Sequence, residues 1–188
     1  MSQQQLLGSV VEVLEALGID YMITGAVASS MQGSPRATHD IDILVCLNEG
    51  DPVKLLEAFP PPEFYLSETS IHDAIKTGGT FNLLEPQSGL KVDFWILTDD
   101  RFDKSRFARK QAVEFHGTKL KVSAPEDTVL MKLKWAKMMG GSEKQFSDAL
   151  NIYELQFDRL DSEYLSHWAR ELDIEGLLKR VKEEATVL

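Results

Sequence analysis

Between Asp40 and Leu47 the chain reads Asp-Ile-Asp-Ile-Leu-Val-Cys-Leu, alternating carboxylate with isoleucine and then turning wholly apolar. That pattern fits a strand inside a sheet, because successive side chains point to opposite faces and the apolar half needs cover on both. Asp40 and Asp42 then project together, roughly 7 Å apart along the backbone, while Ile41 and Ile43 enter the core. Two carboxylates so placed repel unless a cation sits between them. Oxygen-only ligands suit Mg²⁺ or Mn²⁺ rather than zinc. Taken alone, an acidic pair at a strand start is more often a solvated strand end than a metal site.

Two neighbouring segments change that balance. Upstream, Tyr21 to Thr24 is a short apolar strand that enters a helix through Gly25 and Ala26. A helix N-terminus offers backbone N–H groups and a favourable dipole to an anion, and glycine lets a phosphate approach the backbone. Downstream, Lys91-Val92-Asp93-Phe94-Trp95 sets an aspartate in a strand of Val, Phe, Trp and Ile. Asp93 is there either as a sheet-end or salt-bridged residue, or as a third ligand or base toward an attacking hydroxyl.

The elements around these segments alternate between helix and strand. The spacing of Leu6, Val10, Val13, Leu14 and Leu17 predicts a helix over residues 3–17, with Gly18 as its stop. Residues 26–31 read as helix, 32–36 as a turn, 40–47 as strand, and 55–59 as a short helix closed by three prolines. Short strands are expected over 64–66, 81–84 and 90–97, with a helical turn over 70–76 between the first two. Residues 113–115 and 120–122 read as a hairpin. After Ala124-Pro125 the pattern becomes helical throughout: 128–139, 143–155, 162–172 and 174–184. The expected fold class is α/β (α+β), a small mixed sheet with flanking helices over 1–123 followed by a helical segment over 124–188.

The string Gly25-Ala26, thirteen residues, Asp40-Ile41-Asp42, then Asp93 in a later strand resembles the signature of the DNA polymerase β-like nucleotidyltransferase superfamily. The fuller stretch Gly25-Ala-Val-Ala-Ser-Ser-Met-Gln-Gly-Ser-Pro35-Arg36-Ala-Thr38-His-Asp40-Ile-Asp42 is similar to small bacterial members, the abortive-infection toxin-type nucleotidyltransferases and antibiotic adenylyltransferases. Glu126 to Lys134, followed by Ser147-Asp148, resembles the helical segment after the catalytic domain in the toxin-type group.

The resemblance implies that Asp40, Asp42 and Asp93 are catalytic and bind two Mg²⁺ (or Mn²⁺) ions. It implies that Thr24, Gly25, Ala26, Arg36 and Lys132 bind nucleotide, Gly25 and Ala26 cradling the β,γ-phosphates. The implied reaction moves a nucleoside monophosphate from an NTP to an acceptor hydroxyl on a protein, a tRNA or a small molecule, releasing pyrophosphate. At Ala26 the pattern has glycine or serine; alanine lends a backbone N–H but no hydroxyl. The alternative reading is therefore a degenerate nucleotidyltransferase-fold module that binds nucleotide or a partner protein without turnover. Arg36 and Lys132 also have surface readings, after a turn and on a solvated helix face.

Composition bounds the partners. The net charge of −10 argues against coating extended nucleic acid, because phosphate attraction supplies most non-specific affinity. No apolar run approaches a membrane span, and residues 1–18 read as an amphipathic helix rather than a signal peptide, so a cytoplasmic address is expected. A homo-oligomer is compatible with all of this. Cys46, the only cysteine, follows an apolar run and is expected to be a buried, inert thiol. His72, His116 and His167 match no ligand spacing, and His39 is expected to point away from Asp40. Trp95, Trp135 and Trp168 read as packing residues.

Overall fold

The computed structural model describes residues 1–35, 38, 40–115 and 117–186. Arg36, His39 and His116 lie outside the described residues. The chain divides into two compact units, one of residues 1–27 and 38–122, the other of residues 28–37 and 123–188.

The first unit holds the sheet. Helix α1 (Gln3–Ala16) begins at Ser2, whose hydroxyl accepts from the Gln5 N–H while the Gln5 side chain accepts from the Ser2 N–H. This reciprocal capping satisfies two backbone donors that a helix start leaves open. Leu6, Leu7, Val10, Val11 and Leu14 form its buried stripe. Strand β1 (Asp20–Thr24) follows and is covered on both faces, with Tyr21, Met22 and Ile23 fully buried. It runs straight into helix α2 (Gly25–Gln32), and antiparallel to it lies β2 (Asp40–Cys46).

After α3 (Asp51–Ala58) come β3 (Tyr65–Leu66), α4 (Glu68–Thr77), β4 (Thr80–Glu85) and β5 (Leu90–Ile96). Helix α5 (Arg101–Ala108) and the hairpin β6 (Gln111–Phe115) and β7 (Thr118–Val122) complete the unit. The seven strands form one mixed sheet in the order β3-β4-β5-β2-β1-β7-β6, with β2–β5 and β1–β7 parallel and the other pairs antiparallel. The expected α/β class, a mixed sheet with flanking helices, is what the chain adopts.

One face of the central strands is apolar throughout: Ile41, Ile43 and Val45 on β2, Val92 and Phe94 on β5, Phe81 and Leu83 on β4. The Phe81 and Phe94 rings stack at 4.9 Å between centroids, in register across β4 and β5. Register here is strongly specified, because a one-residue slip would exchange these side chains for the polar ones on the other face.

The second unit is helical. It comprises residues 28–32 of α2 and helices α6 (Pro125–Met138), α7 (Glu143–Gln156), α8 (Ser162–Glu171) and α9 (Glu175–Glu184), with a 3₁₀ turn over Phe157–Arg159. Helix α6 packs on α7 and α8, and α9 on α7 and α8. Two polar side chains tie the end of α2 into this unit: Gln32 donates to the Ser123 carbonyl and Gln156 donates to the Gln32 carbonyl. At the start of α6 the fully buried Asp127 accepts from the Tyr164 hydroxyl at 2.6 Å, and Glu126 accepts from the Asp161 N–H. Among the described residues no helix is long and apolar enough to cross a membrane.

Two expectations need correction. Cys46 is exposed rather than buried: it ends β2, paired in register with exposed Asp20 at the start of β1, where cover from neighbouring elements runs out. Helix α5 was not foreseen. Its apolar residues are too few for a periodic stripe, and it is started by Asp100, whose side chain accepts from the N–H groups of Phe102 and Asp103.

Candidate active site

The polar face of the central sheet gathers the sequence-predicted carboxylates. Asp42 on β2 stands opposite Asp93 on β5, and Asp40 stands opposite Lys91. On the other side of β2, Thr24 of β1 is the register partner of Asp42; beyond β5, Asn82 of β4 is the partner of Asp93. One row across four strands therefore reads Thr24, Asp42, Asp93, Asn82. The next row inward reads Met22, Leu44, Trp95, Thr80. Met22 and Leu44 pack with Phe107 into a buried cluster on which Trp95 and Leu97 rest, so the carboxylate row has an apolar floor on one side.

Asp42 is held from three directions. The Trp95 indole N–H donates to its Oδ1 at 3.2 Å, and the Ala26 backbone N–H donates to its carboxylate. Gly25 closes over it: a Cβ built on Gly25 would stand 2.0 Å from Asp42 Oδ2, and Gly25 has φ +62°. Only glycine fits both the space and the left-handed backbone there. The strand-to-helix turn that the sequence marks as a phosphate approach is thus also the socket of Asp42.

Burial is the first cause that pushes the Asp42 carboxyl above its ordinary range. The charges of Asp93 and Asp40 push the same way, and the Trp95 and Ala26 hydrogen bonds oppose without cancelling them. Two unit charges about 5 Å apart at an effective dielectric near 20 repel by roughly 3 kcal/mol. The row carries more negative charge than its own donors neutralise.

Asp93 is engaged as well. Lys91 Nζ lies 2.9 Å from its Oδ2 and 3.8 Å from Asp40 Oδ1, and the Asn82 amide donates to Asp93 Oδ1. The hydrogen bond to Asp93 is the main cause that raises the Lys91 pKa, so the amine stays protonated. As the side chains stand, no three acidic, histidine or cysteine side chains among the described residues converge as metal ligands. The donor set nonetheless suits a hard divalent cation: carboxylate oxygens only, on adjacent strands, with an excess of negative charge.

The structure thus brings together Asp40, Asp42, Asp93, Thr24, Gly25 and Ala26. Arg36 lies outside the described residues. Lys132 belongs to the helical unit, where it is neither solvated nor loose: its Nζ is 2.8 Å from Asp148 Oδ2, with side chains 7% and 10% exposed. Three residues on the carboxylate face were not read from sequence as site residues, namely Lys91, Trp95 (read as packing) and Asn82. Strand alternation around Asp93 was the available signal for the first two, since residues two apart share a face.

No family model and no curated protein matches the sequence. Solved structures do match the fold. An antigenic nucleotidyltransferase-like protein from Paracoccidioides brasiliensis aligns at TM-score 0.55 with 19% identity, covering 97% of this chain and 93% of its own. ANT(2″)-Ia in complex with adenylyl-2″-tobramycin aligns at TM-score 0.61 with 12% identity, covering 92% and 98%. The fold is a nucleotidyltransferase fold. The solution structure of ANT(2″)-Ia agrees, at TM-score 0.51 and 12% identity over 96% of this chain and 100% of that one. At such identities the likeness speaks for the nucleotidyltransferase fold, not for a substrate.

Proposed function

We propose that this chain is a metal-dependent nucleotidyltransferase that moves an NMP from an NTP to an acceptor hydroxyl and releases pyrophosphate. The observation that carries the proposal is the in-register placement of Asp42 beside Asp93, with Asp40 on the same face and the Gly25 turn closed over Asp42. An accidental acidic patch has no reason to be socketed under a glycine where any side chain would collide with the carboxylate.

In this reading Asp40, Asp42 and Asp93 hold Mg²⁺ or Mn²⁺. When bound, the metal supplies positive charge to the phosphates and to the attacking and leaving oxygens. The protein's own part is placement. Trp95 and Ala26 fix the Asp42 carboxylate, and the Met22–Leu44–Phe107 floor keeps the inner end of the row apolar. Asp93 carries the carboxylate suited to help take the acceptor hydroxyl proton. Thr24, Gly25 and Ala26 line the phosphate side; Arg36 and Lys132 are proposed as nucleotide ligands on the sequence resemblance alone. Adenylyl-2″-tobramycin, seen bound to ANT(2″)-Ia, is an adenylylated product of the kind this reaction forms. It keeps a small-molecule acceptor beside protein and tRNA. Within the superfamily, the run from Glu126 to Lys134 followed by Ser147-Asp148 favours the toxin-type group.

A second reading rests on a specific observation. Asp42 and Asp93 already have protein donors, Asp40 has the Lys91 ammonium at 3.8 Å, and Ala26 brings no hydroxyl, which suits a module that binds nucleotide or a partner without turnover.

The test is transfer of label from each NTP, with Mg²⁺ or Mn²⁺, to a pool of protein, tRNA and small hydroxyl acceptors. Transfer abolished by Asp42→Asn supports the enzyme. Nucleotide binding without transfer supports the second reading. Metal and nucleotide binding untouched by the double change Asp40→Ala and Asp42→Ala would sink the site.

A further inference from the structure

Lys91 stands where the carboxylate row most needs positive charge. Alternation along β5 puts it on the face of Asp93, and the parallel register with β2 puts it opposite Asp40. Its ammonium touches Asp93 Oδ2 at 2.9 Å and reaches Asp40 Oδ1 at 3.8 Å, bridging the two strands as a bound cation would. Its other in-register neighbour, Leu84 on β4, is apolar and 37% exposed, and so offers the amine no competing charge. The Lys91 side chain is itself 41% exposed. It is held by charge rather than by walls, and a flexible four-carbon stem can swing it out.

We infer that the Lys91 ammonium is a resident cation that a divalent metal ion must displace from between Asp40 and Asp93. The inference rests on the proposed metal site and adds a rule for its loading. Metal entry is an exchange: ammonium leaves as the ion arrives, because a primary ammonium and a divalent ion cannot share Asp93 Oδ2 at ligand distance without strong repulsion. The displaced amine is then beside a site whose incoming substrate is a polyanion, and phosphate is its natural next partner. The nucleotide-free protein therefore holds its metal weakly, and nucleotide tightens it by engaging Lys91.

The experiment is Mn²⁺ binding to metal-free protein at fixed ionic strength, followed by the paramagnetic resonance of free Mn²⁺, with no nucleotide present. Lys91→Met keeps the stem length and removes the charge. It is expected to bind Mn²⁺ at least ten-fold more tightly than the parent, while Lys91→Arg stays weak. The gain is expected to vanish when Asp93→Asn is added, which separates it from ions scattered over an acidic surface. Addition of a non-hydrolysable NTP analogue is expected to tighten Mn²⁺ more in the parent than in Lys91→Met. Equal or weaker Mn²⁺ binding by a folded Lys91→Met, with binding still abolished by Asp42→Asn, would overturn the inference and leave the metal site standing. No Mn²⁺ binding by either protein would overturn both. Circular dichroism confirms folding, and Lys91→Gln serves as the second neutral variant should Lys91→Met misfold.

Discussion

The Asp42 carboxylate occupies the space that a side chain on Gly25 would need, with Oδ2 2.0 Å from the ideal Cβ position. Gly25→Ala is therefore expected to fail twice. The left-handed backbone at φ +62° costs an L-residue roughly 1–2 kcal/mol, and the methyl group must evict Asp42. Loss of stability by urea denaturation, together with loss of Mn²⁺ binding, checks this. Unchanged metal binding would show that Asp42 is not seated by that turn.

Asp42→Asn is expected to stabilise the metal-free protein at neutral pH while lowering transfer at least about 100-fold, roughly 2.7 kcal/mol of barrier. The stability sign follows from the raised pKa of Asp42. The native state binds this proton more tightly than the unfolded chain, whose value is near 3.8. Between the two values the native state carries more protons, so stability falls as pH rises through that window and stays lower above it. Thermal melts across acidic to neutral pH should show the decline in the parent and a flatter profile in Asp42→Asn.

Trp95→Phe keeps a ring on Met22, Leu44 and Phe107 but removes the indole donor to Asp42. Hydrogen bonds to charged groups contribute roughly 1.5–3 kcal/mol, so a loss in that range is expected by chemical denaturation. The Asp42 pKa is expected to rise further, because a hydrogen bond that lowers it is gone.

Lys132 and Asp148 test whether a buried pair is structural or serves the nucleotide. Removing one partner takes the ion pair from a buried charge, at a cost of about 3–5 kcal/mol. Lys132→Met and Asp148→Leu are each expected to destabilise strongly, and the double variant to recover much of the loss. If Lys132→Met instead leaves stability intact and weakens only nucleotide binding, the amine works for the ligand.

The carboxylates were legible in the sequence because strand alternation is a local rule: Asp40 and Asp42 had to share a face, and Asp93 was an anomaly in an apolar strand. What could not be read was which residue of β5 stands beside which residue of β2. That pairing joins segments far apart in sequence and depends on how Phe81, Phe94 and their neighbours pack. Without it, nothing set Lys91 apart, and Trp95 read as a packing ring. Helix α5 escaped for another reason. Its residues Arg101, Asp103, Lys104 and Arg106 interrupt any apolar stripe, and the Asp100 cap carries the signal instead. Cys46 misled because an apolar run does not reveal where the covering elements stop.

The parallel pairing of β2 with β5 has a consequence for how the protein comes to exist. Asp42 and Asp93 are neighbours only once two distant stretches have met in the correct register, and a slip of one residue would turn one of them into the apolar interior. If the proposed metal site is real, cation capture at this face reports on assembly as much as on chemistry. A stopped-flow signal from Mn²⁺ uptake during refolding would time the moment the central strands lock, with no probe added to the chain.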